Sequence, residues 1–251
     1  FAHLRRGCQI GRVAPGLGAA IDGDGLHGLR LSAGSSRVDR RLDHRQPPPE
    51  RLSFAIRGVQ NESMASETLQ RLRAATRADH QRLEDRLDIF TRIDAPTGRR
   101  RLVERFHGLH AGVERALEPW LVDVEGLEFD ARRRTRVLEA DLAALGCSPA
   151  GLAVCTPAQL SSAAEALGVM YVMEGSTLGG HIIWKRLEAA GRDRVGLSFL
   201  DPYGPQGGAR WRRFLEILER ETGDDRAADA AAMGGRAGFA LTESWLCQED
   251  A

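Results

Sequence analysis

The sequence predicts an all-α protein, a single-domain bundle of about six helices, over residues 64–251. Apolar residues in this region recur at spacings of three and four, which is the period of a helix with one buried face. Alternating β-branched runs, which mark strands, are almost absent from it. The chain has 251 residues, is 42% hydrophobic and 28% charged, and is therefore long enough to bury one good-sized core.

Residues 1–63 differ from the rest, because no helical or strand period persists in them. They contain the proline run "QPPPE" at 46–50 and are rich in glycine and arginine. We expect this region to be a disordered extension. Met64 directly precedes the first helix, so we interpret the extension as upstream translation, with a short regulatory arm as the alternative.

Capping and stop signals set the expected boundaries of the helices. Ser66 is a cap for the first helix, whose apolar stripe runs through residues 66–90. Thr156 followed by Pro157 marks the start of the longest helix, and Gly191 marks its end. The other expected helices cover residues 99–121, 129–145, 209–221 and a final stretch from Asp225 to about Trp245.

Charge and cysteine content exclude several classes of function. The 35 Lys and Arg residues balance 35 Asp and Glu residues, so nothing indicates a nucleic-acid partner. No apolar run is long enough to span a membrane, and no secretion signal precedes the first helix. The four cysteines form no CxxC pair or Cys/His cluster, which argues against disulfides and zinc and fits a cytoplasmic protein.

His80 lies on the apolar stripe of the first helix. The commonest explanation for such a histidine is a satisfied, partly buried core side chain. Two neighbours favour a ligand instead, since Glu84 follows one turn later and can orient the imidazole, while Arg73 lies two turns earlier and can hold an anionic group. One imidazole with a carboxylate partner suits haem iron better than zinc, which requires several protein ligands.

The segment "YVMEGSTLGGHIIWKRL", residues 171–187, places three glycines inside a helix. Each glycine lowers helix stability by about 1 kcal/mol relative to alanine, so their presence needs a reason. Gly175 and Gly179 are four residues apart and therefore share one face. That face either packs closely on another helix or lets a flat ligand lie against bare backbone, and spacing alone leaves both explanations open.

Together the two segments resemble the haem oxygenase family, in particular the bacterial biliverdin-producing type found beside bacteriophytochromes. The stretch "LRAATRADHQRLE" at 72–84 is similar to the family's proximal helix. The stretch "YVMEGSTLGGHII" at 171–183 is similar to its distal helix. The resemblance covers about residues 66–247 and implies the helical fold of that family.

The resemblance also implies roles for individual residues. His80 is expected to be the iron ligand, Arg73 a contact of one haem propionate and Glu84 the hydrogen-bond partner of the ligand. Ser176 stands where many members of the family have an aspartate, so the proton route must differ in detail. The other expected haem contacts are Thr76, Tyr171, Gly175, Gly179 and Gly180, and the candidates for a second propionate contact are Arg210, Arg212 and Arg213.

The implied function is oxidative cleavage of haem to biliverdin, carbon monoxide and ferrous iron. Haem is then both substrate and cofactor, O2 is the oxidant, and a ferredoxin or a reductase supplies electrons, while a bacteriophytochrome is the expected receiver of the product. One alternative is a haem-binding or haem-shuttling protein without turnover. Another is a different enzyme on the same scaffold, either thiaminase-like, with a nucleophilic cysteine, or diiron, with Glu and His ligands from several helices.

Overall fold

The computed structural model describes residues 67–248, and the regular structure in this range is helical throughout, which confirms the all-α prediction. Three expectations lie outside the described residues, namely the cap at Ser66, the start at Met64 and the disorder of residues 1–63. The described range contains the α-helices α1 (Glu67–Leu87), α2 (Ile89–Asp94), α3 (Pro96–Leu121), α4 (Thr135–Ala144), α5 (Ala163–Ala189), α6 (Gly207–Glu221) and α7 (Asp225–Leu246).

The first expected helix is interrupted near its end. It was expected over 66–90, but α1 ends at Leu87 because Asp88 adopts a left-handed backbone conformation with a φ of 39°. The apolar stripe continues into the short helix α2, which explains why the periodicity alone did not show the break.

The third expected helix, over 129–145, is divided in two. A 3-10 turn covers Phe129–Arg132, and α4 begins at Thr135. The carboxylate of Glu114, on α3, accepts hydrogen bonds from the backbone N–H groups of Arg134 and Thr135 at 2.7 and 3.1 Å. A side chain from another helix therefore caps α4 at this point.

The predicted start of the longest helix at Thr156 and Pro157 is wrong. α5 begins at Ala163, where Ser162 caps it by accepting a hydrogen bond from the backbone N–H of Glu165 at 3.1 Å. The predicted end is confirmed, because α5 stops at Ala189, shortly before Gly191.

The segment that precedes Thr156 packs closely against α3. The N–H of Cys155 donates to the carbonyl oxygen of Gly108 at 3.1 Å. A methyl group on Gly108 or Gly112 would collide with the carbonyl oxygens of Ala153 or Cys155, respectively. The backbone of residues 153–155 is therefore held directly against α3.

α7 supports both α1 and α5. On the α1 side, Thr76 lies against Gly235 and His80 lies against Phe239, so the two helices run in the same direction. The core around α7 is built from buried apolar side chains, among them Leu72, Val169, Met170, Met173, Phe214 and Ala231.

α5 approaches α7 through small residues. A methyl group on Gly168 would collide with the carbonyl oxygen of Ala231, and one on Gly238 would lie 3.1 Å from Val172. The later residue of α5, Val172, contacts the later residue of α7, Gly238, so α5 runs in the same direction as α7. Among the described helices, none is long and apolar enough to cross a membrane.

Candidate functional site

His80 projects from α1 beside α7. Its ring stands edge-on to the ring of Phe239, with centroids 5.4 Å apart, and 39% of its side-chain surface is exposed. The structure therefore places the imidazole neither in the closed core nor on a fully solvated surface. One side of the ring is packed, and the remainder is accessible to a ligand.

Glu84 lies one turn after His80 on the same face of α1. The distance from Nε2 of His80 to Oε1 of Glu84 is 3.6 Å, which is longer than a hydrogen bond. The Glu84 side chain is 17% exposed, and burial raises the pKa of its carboxyl above the ordinary value. The two side chains are thus adjacent, without the hydrogen bond that the sequence led us to expect.

Glu84→Gln is expected to stabilise the apo-protein at neutral pH. A carboxyl with a raised pKa holds its proton more tightly in the folded state, so stability falls as pH rises from the ordinary pKa of 4.5 through the raised value. Glutamine removes this loss, and the melting temperature of the variant should exceed that of the wild type at about pH 7 but not at about pH 4. A difference of equal size at both pH values would contradict the explanation.

Two neighbouring glycines of α5 have different surroundings. A methyl group on Gly179 would meet no atom within 4 Å outside its own helical turn, whereas one on Gly180 would collide with the carbonyl oxygen of Leu200. Gly175 shares the side of Gly179, and a methyl group there would lie 3.7 Å from the ring of Trp211. Close backbone packing therefore explains Gly180 but not Gly179.

His80 and the start of the glycine segment lie at similar levels along α7. His80 contacts Phe239, and the preceding residue, Gly238, lies against Val172 of α5. From Val172 to Gly179 a helix rises by about 10 Å. The bare backbone therefore begins within about one turn of the level at which His80 projects.

Arg73 reaches from α1 to α5. Its guanidinium lies close to the hydroxyl of Tyr171, and the pKa of Tyr171 is raised because the phenol is buried. Tyr171 also packs on Trp211 of α6, with ring centroids 5.5 Å apart. We call the surface that joins the two helices the α1–α5 face; it consists of Arg73, His80, Tyr171, Gly175 and Gly179.

Thr76 lies outside the α1–α5 face. It is buried, its hydroxyl donates to the carbonyl oxygen of Leu72 at 2.8 Å, and its methyl group faces Gly235 of α7. Thr76 therefore has a packing role between α1 and α7, as Gly180 has against Leu200. We keep neither residue among the expected haem contacts.

Ser176 has its hydrogen bonds directed into the protein. Its hydroxyl donates to the carbonyl oxygen of Met173 at 2.7 Å and accepts a hydrogen bond from Nη1 of Arg134 at 3.1 Å. The hydroxyl therefore retains one acceptor position and has no second proton to donate.

The three candidates for a second propionate contact, Arg210, Arg212 and Arg213, differ in their hydrogen bonds and ion pairs. Arg210 donates to the carbonyl oxygen of Ala131 at 3.0 Å, and Arg213 pairs with Glu216 at 3.2 Å. Arg212 is exposed and forms no ion pair within residues 67–248. Of the three, Arg212 is therefore the one whose charge is available to an anionic group.

The sequence analysis did not identify four residues that lie near the α1–α5 face. Phe239 and Trp211 have the pattern of ordinary core positions, which does not show what they contact. Arg77 precedes His80 by three residues, and that helical spacing could have placed it beside the site. Arg134 reaches α5 from 42 residues away along the chain, and no periodicity connects the two positions.

The enzymes named as alternatives need a nucleophilic thiol or a cluster of metal ligands. Cys155 and Cys247 are buried, and burial raises the pKa of Cys155 to about 11, so its thiol is a poor nucleophile. Cys147, half-buried, is the remaining thiol in the described range. Within 67–248, no group of three or more His, Cys, Asp and Glu residues is placed to hold a metal ion.

Comparison with known proteins gives consistent relatives. The family model described as Heme oxygenase matches residues 66–248. A heme oxygenase of Xanthomonas campestris pv. campestris (strain 8004) is 38% identical over 160 residues, covering 62% of this chain and 93% of the relative. Heme oxygenase PigA of Pseudomonas aeruginosa is 33% identical over 179 residues, covering 68% of this chain and 86% of the relative.

A solved structure shares the fold. It is described as the NO- and CO-bound heme oxygenase from Neisseria meningitidis, and it matches with a TM-score of 0.59. The match covers 70% of this chain and 88% of that chain at 24% sequence identity. At this identity the likeness concerns the helical architecture alone.

Proposed function

The chain belongs to the haem oxygenase family, and from that premise we propose which of its residues bind and orient the haem. As a haem oxygenase it degrades haem to biliverdin, carbon monoxide and ferrous iron, using O2 and external electrons. Haem supplies the redox chemistry of this reaction, while the protein supplies binding, orientation and hydrogen bonds.

The observation that carries the assignment is that an accessible imidazole and the start of a stretch of bare backbone lie within about one turn of each other along α7. His80 is the ligand of the iron through a neutral ring nitrogen. Phe239 limits the rotation of the ring, and Glu84 lies close enough to accept its remaining N–H after a small movement.

Gly175 and Gly179 form the opposite side of the site. Because neither has a side chain, a flat ring can lie directly against the backbone of α5. The ring of Trp211 lies on this same side of Gly175, 3.7 Å from where a methyl group would stand, and borders the bare backbone there. Ser176 places a hydroxyl oxygen beside these glycines.

The charged edge of the site suits the two propionates of haem. Arg73 and Tyr171 already meet across the α1–α5 face, and both can bond a carboxylate. Arg77, one turn before His80, and Arg212, on α6, are exposed cations that can bind the second propionate. The described residues thus fit haem at its iron, its ring face and its acidic edge.

Titration of the full chain with hemin tests this function. One equivalent should produce a Soret band typical of a protein-bound haem, and addition of ascorbate or of a ferredoxin system should convert it to biliverdin. The second candidate, a haem carrier, is favoured by Ser176 in place of an acid. A Soret band that survives the reductant would support the carrier and contradict the enzyme.

The partners beyond haem are proposals. The electron donor is a ferredoxin or a reductase, and a bacteriophytochrome receives the biliverdin. The free thiols of Cys155 and Cys247 fit a reducing compartment, so we assign the protein to the cytoplasm, without a nucleic-acid or membrane partner.

A fragment of residues 64–251 is expected to retain the properties of the full chain. The family model matches 66–248, and residues 1–63 show no periodic apolar face. The melting temperature and the hemin affinity of the fragment should therefore equal those of the full chain. A clearly lower melting temperature would show that residues 1–63 contribute to folding.

A further inference from the structure

Arg134 holds α5 at the start of the glycine segment. It precedes α4, and it is 3% exposed. Its Nη2 donates to the carbonyl oxygen of Met173, and its Nη1 donates to the hydroxyl of Ser176 at 3.1 Å. Met173 and Ser176 lie on either side of Gly175, so the guanidinium supports the helix at one of the positions where glycine weakens it.

The backbone of Arg134 is fixed by α3. The carboxylate of Glu114 accepts hydrogen bonds from the N–H of Arg134 at 2.7 Å and from the hydroxyl of Thr135 at 2.6 Å. Arg134 is therefore anchored at its main chain by Glu114 and at its side chain by α5. A movement of α5 at Met173 or Ser176 must break at least one of these bonds.

The buried carboxylate nearest in sequence to Met173 does not neutralise Arg134. Glu174 accepts a hydrogen bond from Arg132 at 2.6 Å and another from the hydroxyl of Tyr203 at 2.8 Å. The side chain of Arg134 donates instead to a carbonyl and a hydroxyl, which are neutral. Its positive charge therefore lies one hydrogen bond from Ser176.

We propose that Arg134 is a positioning residue for haem oxidation, holding the Met173–Ser176 segment of α5 and setting Ser176 as a hydrogen-bond acceptor beside a positive charge. This rests on the proposed placement of haem against α5. Because the proton of Ser176 is directed to the carbonyl of Met173, the hydroxyl offers a lone pair, and no proton, to a water molecule in the site. The positive charge of Arg134 thus lies beside Ser176, the position at which many members of the family have a carboxylate.

The first test uses the apo-protein and a double-mutant cycle. Arg134→Met and Ser176→Ala should each lower the melting temperature, and the double variant should lose less than the sum of the two. Arg133→Met is the matched control, because the ion pair of Arg133 with Glu118 at 2.7 Å does not involve α5. The decrease in melting temperature caused by Arg133→Met should add to the decrease caused by Ser176→Ala. Strict additivity for Arg134 would overturn the proposed contact.

The second test uses the hemin complex of the full chain. Arg134→Met removes a positive charge and should raise the pH midpoint of the acid–alkaline transition of the ferric complex by about 0.5–1 unit. Arg134→Lys keeps the charge but cannot bond both acceptors, so its midpoint should stay near the wild-type value while the proportions of biliverdin isomers change. The proposal would be overturned if both variants had the pH midpoint and the isomer proportions of the wild type, even if both had lower melting temperatures.

Ser176→Asp keeps the proposal testable if Arg134→Met does not fold. The new carboxylate should pair with Arg134, so this variant should melt above Ser176→Asn, and a lower melting temperature would contradict the proposed charge. Failure of the wild-type chain to bind hemin would instead refute the proposed function. The apo-protein cycle would then still decide whether Arg134 holds Ser176.

Discussion

Replacement of His80 by alanine is expected to abolish haem degradation while leaving the protein folded. The side chain is 39% exposed, and its main packing contact is the ring of Phe239, so its loss should reduce stability by no more than about 1–2 kcal/mol. The iron would lose its proposed protein ligand, and the bound ring would no longer be held at a fixed distance from Gly179. Turnover should fall to the rate of free hemin.

A histidine of similar exposure provides the control. His181 follows the glycine segment on α5, is 43% exposed and pairs with Asp201 at 3.1 Å. His181→Ala should keep both the Soret band and biliverdin formation. Resonance Raman spectra of the ferrous complexes would show the iron–histidine vibration in wild type and His181→Ala but not in His80→Ala. An unchanged vibration in His80→Ala would exclude His80 as the ligand.

The helical class could be predicted because periodicity is a local property of the chain. The failures occur where another signal overrides the one that was read. Thr156 followed by Pro157 is a good start for a helix, yet α5 begins at Ala163. There the hydroxyl of Ser162 accepts from the N–H of Glu165, and the carboxylate of Glu165 accepts from the N–H of Ser161. A sequence pattern contains no measure of that competition.

The site could be predicted in part for the same reason. His80 and Glu84 lie on one helix, so their spacing shows that they are neighbours. The contacts between Arg134 and Ser176 join segments that are far apart in the chain, and a single sequence read by itself gives no signal for them. The resemblance to the family identified the two helical segments of the site, but only the structure shows which hydrogen bonds Ser176 forms.

The adjacent glycines of α5 provide the sharpest test of the face assigned to haem. Gly179→Leu should leave the apo-protein as stable as the wild type or raise its stability by a little under about 1 kcal/mol, because leucine favours helix and no neighbouring atom obstructs its Cβ. The side chain would occupy the space in which haem and dioxygen must fit, so biliverdin formation should be lost.

Gly180→Ala is the matched control with the opposite pattern. Its Cβ would collide with the carbonyl oxygen of Leu200, and we expect a loss of roughly 1–3 kcal/mol in apo-protein stability. Activity per folded molecule should be retained at low temperature, because this side of the helix faces the protein. Thermal melts without haem, paired with a biliverdin assay, measure both effects.

The two variants therefore separate packing from ligand contact by the sign of their effects. If Gly179 served helix packing, Gly179→Leu would destabilise the apo-protein and turnover would fall only with the folded fraction. If it faces haem, stability and turnover change in opposite directions. A destabilised Gly179→Leu protein with wild-type turnover per folded molecule would show that the bare backbone at Gly179 has no part in the site.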